Sequence, residues 1–338
     1  MLTVKQRNLT RTVETRDFSP SGSITLDLPM GYDQNSVVVR LSGTITIGTA
    51  PTTYHTHMLP RLISRIDIFG NGKNKYHELT GLMACLGNFE RQNANTLTDV
   101  ASGTGAKTVD GYFRIDNVNP DGPRPKDSSL HTAKPFMSKL QIKIQFGAYV
   151  DMVVTAGSFA VTSHALTCEV MVEETIEFDD NAYFEDRLVK TQSIIEETID
   201  ATKTSHRVKL ATGELLLRGV KVYALDETGA LSNAVINSAQ LKSGVDVAYF
   251  KSGSAAREAN KSDYRLQGSQ QVTGFYFFDL CPQGQLNQLW DTRGRSELDL
   301  VLDVTKPAGG DAKVIVVPVQ FYEQDNAAVR ASLGLNGK

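Results

Sequence analysis

The sequence predicts an all-β chain: two tandem eight-stranded barrels, of sandwich or jelly-roll type, with a few short helices in loops. Three observations predict it. Apolar and polar residues alternate with a period of two through most of the chain. Gly-, Asn- and Asp-rich turn signals separate the alternating runs. Four patterns of the first half recur, in the same order, in the second.

Ile24, Leu26 and Leu28 open the alternation, followed by Val37, Val39 and Leu41. Leu140, Ile142, Ile144 and Phe146 continue it, as do Leu298, Leu300, Leu302 and Val304. Such spacing sets one face of a strand on a core and the other toward water. Turns are expected at Gly70-Asn71-Gly72-Lys73, Asp110-Gly111, Asp121-Gly122-Pro123, Asp226 to Gly229 and Pro307 to Gly310, because Asn-Gly and Asp-Gly tolerate the positive φ of tight turns. Helices are expected at Glu78 to Gln92, at Gln285 to Asp291 and at Asn326 to Leu333.

In the repetition, Leu62 to Phe69 is matched by Leu216 to Tyr223, and Gly111 to Asp116 by Gly274 to Asp279. Leu140 to Phe146 is matched by Leu298 to Val304, and Val170 to Glu174 by Val319 to Glu323. Each half is long enough for one eight-stranded barrel. The expected division is an N-terminal arm (1–17), a first barrel (18–176), a polar acidic linker (177–186), a second barrel (187–324) and a tail (325–338).

The net charge of −3 on 338 residues argues against a body that binds nucleic acid by bulk electrostatics. The three cysteines, Cys85, Cys168 and Cys281, form no Cys-x-x-Cys pair and suggest neither a disulfide framework nor a zinc knuckle. The first residues carry Lys5, Arg7, Arg11 and Arg16 where a signal peptide needs an apolar run, and no apolar stretch is long enough to span a bilayer as a helix.

At these residues the chain resembles the double-jelly-roll major capsid proteins of tailless icosahedral viruses, especially the membrane-containing bacteriophages. Leu59-Pro60-Arg61-Leu62-Ile63-Ser64-Arg65-Ile66-Asp67-Ile68-Phe69-Gly70-Asn71-Gly72 looks like an early strand and hairpin of that family, and Leu79 to Gln92 like the helix that follows. Ser296 to Asp303 and Lys313 to Tyr322 are similar to its closing strands. The resemblance implies self-assembling pseudo-hexameric homotrimers that tile the facets of a virion made in host cytoplasm. It also implies a separate vertex (penton) protein and, for the arm, a place beneath the shell near an internal lipid membrane. No sequence-specific nucleic-acid partner is implied.

Catalytic signals are weak. His55-Thr56-His57 lacks the Glu that a cupin metal motif needs soon after, and the other histidines stand singly. Gly103 to Thr108 has Ala106, not Gly, before Lys107, so it is expected to be a surface loop rather than a phosphate loop. The pairs Glu173-Glu174, Asp179-Asp180 and Glu196-Glu197 are adjacent in sequence, and adjacent strand residues point to opposite faces. No catalytic, cofactor or metal residue is assigned, and no enzyme activity is expected; a structural Ca²⁺ at a subunit interface is left open, since hard cations favour clustered oxygens.

The arm is the one candidate site. Lys5, Arg7, Arg11 and Arg16, interleaved with Leu2, Val4, Leu9 and Val13, suggest a weakly amphipathic helix facing anionic lipid or genome. On that reading its deletion leaves trimers folded and impairs assembly around lipid. The alternative functions are a receptor- or carbohydrate-binding β-sandwich of viral-spike type, for which the one tryptophan, Trp290, falls in a helix-like context, and a cupin- or glycosidase-type enzyme.

Overall fold

Alternating runs become paired strands in both halves. The computed structural model describes residues 6–51, 53–72, 74–87, 97–119, 130–132, 137–177, 187–264, 273–282 and 286–324. The first half contributes β1 (Gln6–Asp17), β2 (Ser23–Asp27), β3 (Asp33–Thr49), β4 (Thr53–Tyr54), β5 (Ile63–Gly70), β6 (Asn74–Leu79), β7 (Leu97–Thr98), β8 (Gly105–Asp116), β9 (Leu130–His131), β10 (Leu140–Phe146), β11 (Val153–Thr155) and β12 (Ala160–Glu177). The second contributes β13 (Arg187–Gln192), β14 (Ile195–Ile199), β15 (Lys203–Lys209), β16 (Leu215–Leu225), β17 (Ile236–Ser243), β18 (Asp246–Ser252), β19 (Phe275–Asp279), β20 (Trp290–Asp291), β21 (Asp299–Val304) and β22 (Ala312–Gln324). Helices α1 (Gly81–Leu86) and α2 (Gly253–Asp263) follow β6 and β18.

In the first barrel the sheet β1-β12-β3-β8 faces the sheet β2-β10-β5-β6. In the second, β13 and β14 both pair with β22, which continues through β16 to β19; this sheet faces β15-β21-β17-β18. The strand orders are the same in both halves, with most sequence neighbours sent to opposite sheets and the hairpins β5–β6 and β17–β18 kept within one, as in a jelly roll. Inward residues close each core. Val39, Phe113 and Val170 meet Leu26, Ile68 and Ile142 in the first, while Val222, Tyr276 and Val316 meet Val208, Leu241 and Leu300 in the second. Each such side chain, fully buried, stabilises by about 1.5–3 kcal/mol.

The ladders fix which residues of the two barrels correspond. Val39 lies opposite Phe113 and Val170. Val222 lies opposite Tyr276 and Val316. Leu28 N–H donates to Leu140 O, and Leu210 N–H to Leu298 O. Two of the four expected matches are therefore correct to the residue, β8 with β19 and β10 with β21. The match of β12 with β22 has the right strands but is displaced by three residues, since Val170 corresponds to Val316. The match of Leu62–Phe69 with Leu216–Tyr223 joins unlike strands: β16 corresponds to β3, and β5 to β17. Short amphipathic strands resemble one another, and only hydrogen-bond register separates them.

Several local expectations change. The Asn71-Gly72 turn has φ of 52° and 72°, as its hairpin requires. Asp110-Gly111, expected as a turn, lies inside β8, where a Cβ on Gly111 would approach Leu59 Cδ2 to 2.9 Å. The helix expected at Glu78 to Gln92 begins only at Gly81, because β6 runs to Leu79 and Thr80 caps the helix by accepting from Met83 N–H. Residues 88–92 lie outside the described part. The helix expected at Gln285 to Asp291 reduces to a 3₁₀ turn, Leu286–Gln288, and Trp290 belongs to β20, paired with Leu217 of β16. Gly105–Thr108 opens β8 rather than forming a loop. The helix expected at Asn326 to Leu333, the turn at Asp121 to Pro123 and residues 178–186 of the linker lie outside the described residues.

Candidate assembly surfaces

The second barrel's sheet β22-β16-β19 is apolar on both faces. Val314 and Val316 point into its own core, whereas Ile315, Val317, Val319 and Phe321 are buried in the first barrel's cluster together with Tyr223, Phe275 and Phe277. A strand buried on both faces reads as an unbroken apolar run, which is why Val314-Ile315-Val316-Val317 shows no alternation. The seam lies against the β6–α1 edge of the first barrel. Tyr223 Oη donates to Met83 O at 3.4 Å, and Arg61 Nη2 to Gly229 O at 2.9 Å. Gln192 of β13 bridges His77 of β6, which joins the sheets of the two barrels edge to edge. A cavity of about 20 Å³, room for the centre of about one water, lies between Leu79, Met83, Lys190, Lys221 and Tyr223.

Buried polar groups fix the seam's register. Arg218, fully buried at the bulge of β16, reaches Asn119 of the first barrel, Tyr264 after α2, and Asp279 at 3.2 Å. Its guanidinium also lies 5.3 Å from the centre of the Phe277 ring. His77 has Nε2 2.9 Å from Asn117 Oδ1 and Nδ1 3.2 Å from Gln192 Oε1. Burial, helped by the charge of Lys190 and opposed by these hydrogen bonds, lowers the His77 pKa to about 3. His55, buried near Arg61, is lowered to about 4, first by burial and then by that arginine.

Both imidazoles therefore stay neutral where the unfolded chain, with pKa 6.5, takes up protons. Their contribution to stability is complete above pH 6.5 and falls as pH drops toward 4, by up to about 1.4 kcal/mol per pH unit for each. Unfolding midpoints are expected to decrease between pH 7 and pH 5, with a shallower slope in His77→Gln. An unchanged slope in that variant would remove His77 from the acid response.

The face of the first barrel that corresponds to the seam carries charge instead. By ladder register Arg40 takes the place of Tyr223, Tyr112 of Phe275, Arg114 of Phe277, Glu169 of Ile315 and Glu173 of Val319. Arg40 makes two hydrogen bonds to Asp110, 2.9 and 2.8 Å, which hold that carboxyl below the usual carboxylate range. Arg114 pairs with Asp116 and Glu173. Each of these charges has an opposite partner on the same sheet, so the face is polar but locally neutral.

The expected arm is part of this barrel. β1 pairs with β12 from Gln6↔Glu177 to Asp17↔Thr167, so residues 6–17 form a strand and not an amphipathic helix. The reason lies in its neighbour: β12 has an open edge there, and the edge supplies the hydrogen bonds that an isolated short helix would have to make alone. Among the four basic residues, Arg7 is exposed, Arg11 pairs with Glu174 at 2.9 Å, Arg16 pairs with Glu14, and Lys5 lies outside the described residues.

The other flagged residues serve local roles. Glu173 and Glu174 point to opposite faces, toward Arg114 and Arg11. Glu196 pairs with Lys313, while Glu197 lies 3.5 Å from His206. Asp179 and Asp180 lie outside the described residues. Lys107 donates to Ser102 O. Cys85, Cys168 and Cys281 are buried. Among the described residues no three His, Cys, Asp or Glu side chains form a group that could hold a metal, and no helix is long and apolar enough to cross a membrane. One feature escaped sequence reading: three exposed apolar side chains, Val245 (96% exposed), Val247 (51%) and Phe250 (66%), sit on the β17–β18 hairpin. Phe250 precedes Lys251 in a run that reads as an ordinary loop, so only its place on an edge strand reveals it.

No family model and no curated protein sequence matches the chain. Solved structures do match. A chain of Sulfolobus Turreted Icosahedral Virus is similar with a TM-score of 0.70 at 15% identity, over 96% of this chain and 93% of that one. The major capsid protein of bacteriophage PM2 matches with a TM-score of 0.63 at 10% identity, over 94% and 98%. The capsid of the virus PBCV-1 matches with a TM-score of 0.64 at 11% identity, over 94% and 96%. Two barrels of identical strand order, joined in one chain and superposable over nearly their whole length on these proteins, give the chain its place: it has the double-jelly-roll fold found in viral major capsid proteins.

Proposed function

We propose that the chain is a major capsid protein, a structural component of a virion that assembles as pseudo-hexameric homotrimers tiling the facets of an icosahedral shell. The observation that carries this reading is the tandem pair of equivalent barrels welded by an apolar seam. Two barrels per chain let three copies supply six similar units, so that a three-fold oligomer fits a six-fold lattice position. The likeness in fold to the capsid proteins named above supports it. A lattice of such trimers needs a different protein at its five-fold vertices. The internal membrane is a further part of the proposal, carried by the basic N-terminus, where Arg7 is exposed and Lys5 precedes it.

Native mass of the purified chain tests the reading. The expected species has three times the 37.0 kDa of one chain, and concentrated samples are expected to form sheets or shells by electron microscopy. A strict monomer at every concentration would overturn it.

A further inference from the structure

The cavity in the seam is lined by cations from both barrels. Lys190 of β13 and Lys221 of β16 reach it from the second barrel, and Arg114 of β8 from the first. Leu79, Met83 and Ile115 form its apolar side. Both lysines are almost fully buried, at 3% and 4% exposure. Lys221 Nζ lies 5.4 Å from the centre of the Phe277 ring, which Arg218 also approaches. Lys190 is near enough to His77 for its charge to act on the imidazole.

Taking an ammonium out of water is costly unless anionic or accepting groups surround it. Ammonium and guanidinium groups carry N–H donors and no acceptor. Among the described lining residues, three cations, Arg114, Lys190 and Lys221, meet one carboxylate, Asp116. That carboxylate is already paired with Arg114. Gln192 Oε1 faces His77 Nδ1, and Tyr223 Oη donates to Met83 O. The lining side chains therefore offer more donors, and more positive charge, than they can balance among themselves.

The site also has room. Gly87, at the end of α1, has no side chain, and a Cβ there would stand 3.5 Å from Lys221 Nζ. The 20 Å³ of the cavity exceeds the ~10–15 Å³ that one water needs, enough for a single compact anion. Arg114 and Asp116 keep some exposure to solvent, so an ion can enter beside them. We propose that this cavity is an anion site, in which one small inorganic anion, of the chloride or phosphate class, is held between Lys190, Lys221 and Arg114. The ion contacts both barrels at once. It binds the closed seam and not the unfolded chain, so it stabilises the joined barrels by mass action. Charge attraction is strong there, because the surroundings are poorly screened.

Unfolding of the full chain in three sodium salts tests the site. Gluconate, whose anion is too large to enter, is compared with chloride and with inorganic phosphate at equal ionic strength. An anion at about ten times its Kd lowers the unfolding constant about tenfold. A saturable fall of that size is expected with chloride or phosphate and not with gluconate. Calorimetric titration of the folded chain with the same anion is expected to give one site per chain. Lys190→Met and Lys221→Met are expected to lose both responses. In gluconate they are expected to unfold no more readily than the unsubstituted chain, because each removes a buried charge. Lysines with a purely structural role would give variants that are weaker in every salt and still respond to the anion. Equal stability in all three salts overturns the proposal and leaves water in the cavity. An anion response that survives both substitutions overturns it too, and places the ion on the surface. If neither variant folds, the titration of the unsubstituted chain decides, and the absence of a site overturns the proposal. Native mass tests the capsid reading separately, and none of these results bears on it.

Discussion

Removing residues 1–17 is expected to unfold the first barrel, not to release a dispensable arm. β1 is joined to β12 through eleven paired residues. Its loss would open the whole β12 edge and uncover Glu174, whose side chain is fully buried beside Arg11. Burial raises the Glu174 pKa even with Arg11 present; without Arg11 the carboxyl must be protonated or resolvated. An unpaired buried polar group costs about 1–3 kcal/mol, and each lost ladder bond adds about 0.5–1.5 kcal/mol. Together these reach the size of a domain's entire stability, about 5–15 kcal/mol. The truncated chain should be recovered as aggregate, or with a markedly lowered melting temperature. Arg11→Met offers a graded version, because Arg11 is partly exposed and only part of its pairing energy is unscreened; a loss of about 1–2 kcal/mol in urea unfolding is expected. A soluble truncation with an unchanged melting temperature would show that β1 is dispensable to the barrel.

Arg218→Ala is expected to be the most damaging single substitution in the seam. It removes a fully buried guanidinium and leaves Asp279 with its negative charge in a site almost closed to water. Breaking one partner of a buried ion pair costs about 3–5 kcal/mol. The loss also releases Asn119, the first barrel's contact with this network, so the register of the two barrels loosens as well. Replacing both partners, as in Arg218→Met/Asp279→Leu, should recover most of the stability, since apolar groups of similar volume often equal a buried pair. The pair is then a registering device more than a source of stability. Measuring both variants by urea unfolding separates the two roles. If Arg218→Ala changes stability by less than about 1 kcal/mol, the network does not hold the seam.

Much of the barrel architecture was legible in the chain. Leu140 to Phe146 alternates cleanly because β10, a central strand, buries one face and leaves the other partly exposed, whereas in β21, also central, Val301 interrupts the alternation and is buried with Asp299 on the outer face. β22 reads as a strand, but its register is hidden, since seam burial gives Ile315 and Val317 the same character as Val314 and Val316. The charged outer face of the first barrel was not legible at all. Arg40, Arg114, Glu169 and Glu173 lie far apart in sequence, and β-pairing alone brings them together.

Sequence alone determined that there are two barrels, because alternation and turn chemistry are local properties and duplication preserves their order. Only the tertiary structure decided that residues 6–17 belong to the first barrel, that one sheet of the second barrel is buried on both sides, and that β18 is left open. Those outcomes depend on which edges meet. Edge pairing is governed by backbone hydrogen bonds, whose donors and acceptors are nearly the same in every residue and so leave little trace in the sequence.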